Sequence, residues 1–167
     1  IQQPVTNAEV VRDNMATAVV DGHHGMGMVI SKRCMELAIE KAKTYGLGMV
    51  VARNSTHYGI AAYYPMMACA AGMIGLTGTN ARPSIAPTFG VENMLGTNPL
   101  VFGMPTDEEF VFTNDYATSI TQRGKIELYA REGKPCPPGW VIDDEGNTKT
   151  DAKQMVRYGE GFFTSLG

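Results

Sequence analysis

The sequence predicts an α/β or α+β fold: a mixed, largely antiparallel sheet flanked by helices, read as one domain over residues 1–167. Three observations carry that prediction. Short apolar or β-prone runs alternate with segments of helical period, two strand-like runs face each other across an acidic turn, and neither a repeat nor a linker divides the chain.

Taken in order, residues 10–13 and 16–20 are short and β-prone, and the second run ends at Asp21-Gly22. His23-His24-Gly25-Met26-Gly27 follows, and its closely spaced glycines predict a flexible loop in front of a helix. A helix start behind such a loop is a natural anion site, although the spacing matches neither a P-loop nor the dinucleotide fingerprint. Residues 28–45 form the clearest helix, with Met35, Ile39 and Ala42 recurring at helical spacing and Gly46 as the stop. Lys32 with Glu36 and Glu40 with Lys43 should offset the repulsion between the two glutamates.

The run Leu47-Gly48-Met49-Val50-Val51-Ala52 predicts a buried strand, and an Ala-rich helix is expected from Ile60 to about Gly72. Residues 73–79 predict a second buried strand. Residues 100–104 and 109–113 predict a hairpin, 124–133 a short helix with a glycine stop, and the Pro- and Gly-rich residues 134–151 a surface wrap anchored by Trp140.

Composition narrows the function classes. A formal net charge of -3, with no cluster of basic residues, makes no electrostatic case for nucleic acid. No apolar run is long enough to span a bilayer. Cys34, Cys69 and Cys136 are odd in number and well separated, which argues against a disulfide framework and fits a reducing cytoplasm. Ile1 opens without a start Met, and the chain stops at Ser165-Leu166-Gly167 as if inside a motif, so a longer protein is expected.

The chemistry centres on Arg53-Asn54-Ser55-Thr56-His57-Tyr58-Gly59. His57 falls in a strand-to-helix turn, where open α/β sheets tend to hold ligands, and an imidazole is a credible proton carrier near neutral pH. Asn54, Ser55 and Thr56 are all candidate caps for the helix that follows. Taken alone, an isolated histidine in such a turn reads first as a helix cap or a surface residue. His23 and His24 read first as a solvent-facing loop and second as the lining of a substrate pocket. A metal hydrolase using His23, His24 and His57 is a poor fit, because no second ligand cluster completes a site.

Four segments in this order and spacing resemble the type-2 malate/L-lactate dehydrogenase family, which includes ureidoglycolate, sulfolactate and diketogulonate enzymes. They are Asp21-Gly22 with its glycine loop, Asn54-Ser55-Thr56-His57-Tyr58-Gly59, Gly96-Thr97-Asn98-Pro99, and Asp115-Tyr116-Ala117-Thr118-Ser119. Gly124-Lys125 and the tail Pro138-Gly139-Trp140, Asp143, Gly146, Thr150-Asp151 match in order as well. The resemblance covers nearly the whole chain.

It implies a domain that binds NAD or NADP in a fold unlike the Rossmann type, and interconversion of a small 2-hydroxy acid and its 2-oxo acid. His57 matches the family's catalytic histidine, a proton acceptor. Asn80 and Ala81 fall at one cofactor contact, with backbone N–H groups suited to phosphate oxygens. Asp115, Tyr116 and Ala117 match a second contact, where Asp115 could accept from a ribose or an amide, or cap the following turn. Asn114 and Tyr116 stand where the family usually has Leu and Met, and Ala81 offers only its backbone where some members offer a hydroxyl. Arg53, Arg82 and Arg123 are candidates to clamp a dicarboxylate. The resemblance also implies a homodimer. The rival from another class is a truncated, non-catalytic domain that binds a nucleotide or mediates dimerisation.

Overall fold

The structure, a computed structural model, describes residues 2–158 and 161–164; the terminal Ser165, Leu166 and Gly167 lie outside the described residues, as does Ile1. The chain forms two compact units, residues 1–77 with 101–115 and residues 78–100 with 116–167. Among the described residues the strands form three three-stranded sheets, so the mixed α/β character holds while the single sheet divides into three.

In the first unit, β1 (Glu9–Asn14) and β2 (Thr17–Asp21) pair as an antiparallel hairpin with a bulge at Val11. β3 (Met49–Arg53) then pairs parallel to β2, with Asp21 opposite Arg53. The connection between those parallel strands is α1 (Gly27–Tyr45), as a parallel crossover requires. Gly46 ends α1 in the left-handed conformation at φ 78, its N–H bonded to the Ala42 carbonyl, as the sequence predicts. Lys32 bridges Glu36 at 3.6 Å and Lys43 bridges Glu40 at 2.7 Å, both on the exposed face.

Two expectations shift. The buried stripe of α1 is Ile30, Cys34 and Lys41 with Leu37 partly covered, whereas Met35, Ile39 and Ala42 are only half-buried. Several overlapping stripes share the helical period, and contact with Val20, Val50 and Ala52 selects among them. Lys41 lies on the buried stripe because its ammonium reaches past it to Asp13 and to the Met15 carbonyl at 3.0 Å. The second shift concerns β3, which alternates between exposed and half-buried residues: α1 covers one face, and the other leaves Met49 and Val51 open.

β4 (Gly75–Gly78), β5 (Leu100–Met104) and β6 (Phe112–Tyr116) form the second sheet. The predicted hairpin is there, with its second strand starting later and a longer connection. β4 is not fully buried, since Leu76 is exposed. α2 (Tyr63–Ala70) seats Pro65 in its first turn, where no helical N–H is lost, against two glycines of this sheet. A Cβ on Gly75 would lie 2.5 Å from Pro65 Cα, and one on Gly103 2.9 Å from Pro65 Cβ.

The second unit has its own core. Ile126, Cys136, Val141, Ala152 and Met155 are buried together, from α3 (Arg123–Glu132), the connection after it, β7 (Val141–Ile142) and α4 (Ala152–Tyr158). Residues 134–151 run largely over the surface, as expected, with only Cys136 and Val141 buried, yet they do more than wrap it. They deliver Cys136 and Val141 to the core and pair β7 with β8 (Thr148–Lys149) and β9 (Phe162–Phe163). The apolar residues are few and widely spaced, so no sequence period announces them. Trp140 does anchor the segment: its ring lies 5.4 Å from Tyr129, with Lys125 Nζ 5.2 Å from its centroid. Asp143 closes the β7–β8 turn by accepting from the N–H groups of Glu145 (3.0 Å) and Asn147 (2.8 Å).

Candidate functional site in the first unit

His57 lies where the sequence places it, in the turn between β3 and α2, and its side chain is exposed. Its Nδ1 accepts a hydrogen bond from the Gly59 N–H at 3.0 Å. Gly59 has φ 83, a conformation that favours glycine and lets the chain fold back over the ring. With the Nδ1 lone pair engaged, the neutral ring carries its proton on Nε2.

The loop around His57 is held along its length. At its start, Asn54 adopts φ 51, uncommon for a residue with a side chain, and donates through Nδ2 to both Asp21 oxygens at 3.1 and 3.0 Å. Arg53 Nε donates to Asp21 Oδ2 at 2.8 Å, and the His23 N–H donates to Oδ1 at 2.9 Å. The His23 N–H, the Asn54 amide, the Arg53 guanidinium and the His23 ring together pull Asp21 down to about 2, against the opposing effect of burial.

Just before His57, Thr56 Oγ1 accepts from the Gly27 N–H at 3.0 Å and donates to the Gly25 carbonyl at 2.9 Å. Thr56 therefore caps α1 across the loop, not the helix that follows it in sequence. The expected anion site at that helix start is filled by the chain's own oxygens. Gly27 has no room for a Cβ, which would sit 2.1 Å from the Thr56 carbonyl oxygen and 2.5 Å from that of His57. The glycine loop is also not loose. His23 (φ 45) and His24 (φ 59) are both left-handed, the His24 N–H donates to the Asn54 carbonyl at 2.7 Å, and His23 Nε2 meets Glu9 Oε2 at 3.0 Å.

After His57, Tyr58 stacks on Tyr64 with centroids 5.2 Å apart and planes 3° from parallel, and the Tyr64 hydroxyl donates to the Tyr58 carbonyl. Tyr58 Oη is buried beside Thr77 without a well-formed hydrogen bond. Burial pushes that hydroxyl above its ordinary pKa, and the charge of Asp115 adds to the shift. Asp115 Oδ2 in turn accepts from the Ala62 N–H at 2.9 Å, next to the start of α2. Neither Asn54, Ser55 nor Thr56 caps α2; this carboxylate from β6 does.

The structure thus joins two of the predicted segments inside the first unit, the His57 turn and Asp115. Tyr116 and Ala117 are half-buried and belong to the second unit, with exposed Asn80 and Ala81. There the Ala81 N–H donates to Asn98 Oδ1 at 2.8 Å, and Gly96 accommodates the Ala81 carbonyl where a Cβ would meet it at 2.3 Å. Ala81 therefore has no backbone donor to spare for a phosphate. Of the candidate clamp arginines, Arg53 gives its Nε to Asp21 and Arg123 its Nε to Glu127 at 3.0 Å, each keeping its terminal nitrogens, so the contacts do not rank the three.

The sequence offers Thr56 as a cap for the wrong helix and marks Asp21-Gly22 and its glycine loop only as a segment, and nothing in it points to the contacts made by Asp21, Gly27 or Tyr64.

A family model described as malate/L-lactate dehydrogenase matches residues 1–167. The chain belongs to that family. A malate dehydrogenase of Pyrococcus horikoshii is 49% identical over 150 residues, 90% of this chain and 41% of that protein. An L-sulfolactate dehydrogenase of Methanocaldococcus jannaschii is 43% identical over 153 residues, 92% of this chain and 44% of that protein. The crystal structure of malate dehydrogenase from Entamoeba histolytica superposes with a TM-score of 0.93 at 45% identity, covering 99% of this chain and 47% of that one. This malate/L-lactate dehydrogenase family chain spans less than half the length of these relatives.

Proposed function

We propose that the chain is the NAD(P)-binding and catalytic part of a cytoplasmic, homodimeric oxidoreductase that interconverts a small 2-hydroxy acid and its 2-oxo acid. What carries the reading is the family match over residues 1–167 together with a buttressed turn that presents an exposed His57. Asp115 fits a nicotinamide cofactor as an acceptor. One of its oxygens is engaged by Ala62, and the other takes no hydrogen bond among the described residues. Asp115 and the backbone at Tyr116 and Ala117 would hold the cofactor. Asn80 would assist, with Ala81 contributing contact without a backbone donor. The bound nicotinamide supplies the hydride acceptor.

His57 takes the hydroxyl proton as the hydride leaves the adjoining carbon, so the two electrons and the proton part company in one step. Accepting at Nε2 requires the ring proton to reside on Nδ1, so the contact with the Gly59 N–H must open on substrate binding. Malate- and lactate-like acids are the substrates to test, with NADH and NADPH both assayed.

The test is His57→Ala and His57→Asn in the full-length protein. Turnover is expected to fall by about 10² to 10⁴ with NADH binding retained, and near wild-type turnover would remove His57 from the mechanism. A second reading has the chain alone as a nucleotide-binding or dimerisation module, favoured by its covering less than half of each relative. Titrating NADH into residues 1–167 by fluorescence and then assaying 2-hydroxy acids separates the two. Binding without turnover supports the module.

A further inference from the structure

We propose that Asp21 is a positioning residue for His57: a buried carboxylate at the end of β2 that holds the first residues of the catalytic loop in place. The proposal rests on His57 being the proton carrier. Asp21 is 5% exposed, at the last rung of the parallel β2–β3 pairing, so its carboxylate reaches across to the point where β3 ends and the loop begins. Both oxygens are used, and of their partners Arg53 and Asn54 lie only four and three residues before His57.

The contacts are those needed to hold an otherwise unfavourable backbone. Asn54 sits at φ 51, and its amide spans both carboxylate oxygens, so side chain and main chain are fixed together. The Asn54 carbonyl then receives the His24 N–H, and the Arg53 carbonyl receives the Gly22 N–H at 2.9 Å, which ties the loop to the residues just after Asp21. A charged acceptor makes the shorter and stronger kind of hydrogen bond. An amide in its place would retain one acceptor oxygen and present an N–H₂ toward donors that already point inward. His57 would then start from a loosened base. A catalytic group displaced by about 1 Å costs on the order of 10² in rate.

A purely structural ion pair would lower stability and affect every step alike. A positioning role predicts a loss confined to the step His57 serves. The experiment is a double-mutant cycle in the full-length protein with Asp21→Asn, His57→Ala and both together, reading kcat and KM for cofactor and hydroxy acid. Asp21→Asn is expected to lower kcat by roughly ten- to a hundredfold with the cofactor KM within about threefold. In the His57→Ala background the same change should cost less than about threefold, because the group it positions is gone.

Equal losses in both backgrounds, or wild-type kcat in Asp21→Asn, would overturn the proposal while leaving His57 as the proton carrier. Wild-type turnover in His57→Ala would overturn the functional reading, and the role of Asp21 with it. If circular dichroism shows Asp21→Asn unfolded, Asn54→Gly serves instead. It tolerates the left-handed backbone, removes the amide anchor and should reproduce the same coupled loss; an uncoupled loss there overturns the proposal equally.

Discussion

Replacing Gly27 with alanine probes the buttress under His57 most directly. The added methyl would lie 2.1 Å from the Thr56 carbonyl oxygen, 2.5 Å from the His57 carbonyl oxygen and 2.7 Å from its carbon. Ordinary contact begins at 3.4 Å, so the Thr56 carbonyl must retreat by about 1.3 Å, and the atoms in the way are backbone, not a flexible tip. Overpacking of this kind costs about 1–3 kcal/mol. The Thr56 clamp on the Gly27 N–H and the Gly25 carbonyl resists the movement and is worth about 1 kcal/mol per hydrogen bond. Thermal unfolding of the variant should therefore fall by several degrees. In the full-length protein kcat should drop by about 10², since the displaced carbonyls belong to Thr56 and to His57, the proposed proton carrier. Gly124→Ala is the control: nothing lies within 4 Å of its missing Cβ, and it sits inside α3, so stability should rise by about 0.5–1 kcal/mol. A Gly27→Ala protein with wild-type Tm and wild-type turnover would refute the reasoning, because the loop would then have room that its atoms deny.

Further predictions follow from the same geometry. Asp21 titrates near 2 when folded against about 4 when unfolded. Its depressed value means that its stabilisation is present above about pH 4 and is lost as pH falls toward 2. Urea midpoints for wild type and Asp21→Asn should thus differ most near neutral pH and converge in acid; a constant gap down to pH about 2 would contradict this. Tyr64→Phe keeps the stack on Tyr58 but deletes the donor to the Tyr58 carbonyl, so it should cost about 0.5–1.5 kcal/mol by denaturant titration, and an unchanged midpoint would count against that bond. Cys34 is buried and pushed up to about 11 by burial, and Cys136 is raised for the same reason. Native-state labelling of Cys34 at mildly alkaline pH should be roughly a hundredfold slower than in the unfolded chain. Rapid stoichiometric labelling would place that thiol at the surface.

Local chemistry made part of this protein legible before any coordinates. The extent of α1 and its stop at Gly46, the strands β1 and β2 though not their pairing, α3 and its stop at Gly133, and the turn bearing His57 all follow from interactions within a few residues of one another. Propensity, capping and period act at that range. The motif order around Asp21, His57, Asn98 and Asp115 was likewise readable, and the family match agrees with it.

Tertiary structure decided the rest, and in each case the reason is a partner distant in sequence. Which stripe of α1 is buried depended on Val20, Val50 and Ala52. Thr56 caps α1, 29 residues before it, while α2 is capped by Asp115, 53 residues beyond Ala62. The Ala81 N–H, a plausible phosphate donor by sequence, is taken by Asn98, 17 residues on. A hydrogen-bonding group takes whichever partner the fold brings within about 3 Å, and sequence neighbourhood does not decide which partner that is. Sequence could nominate His57; only the folded chain shows its turn tied through Asn54 and Arg53 to Asp21, packed on Gly27 and bonded through Thr56 to the start of α1.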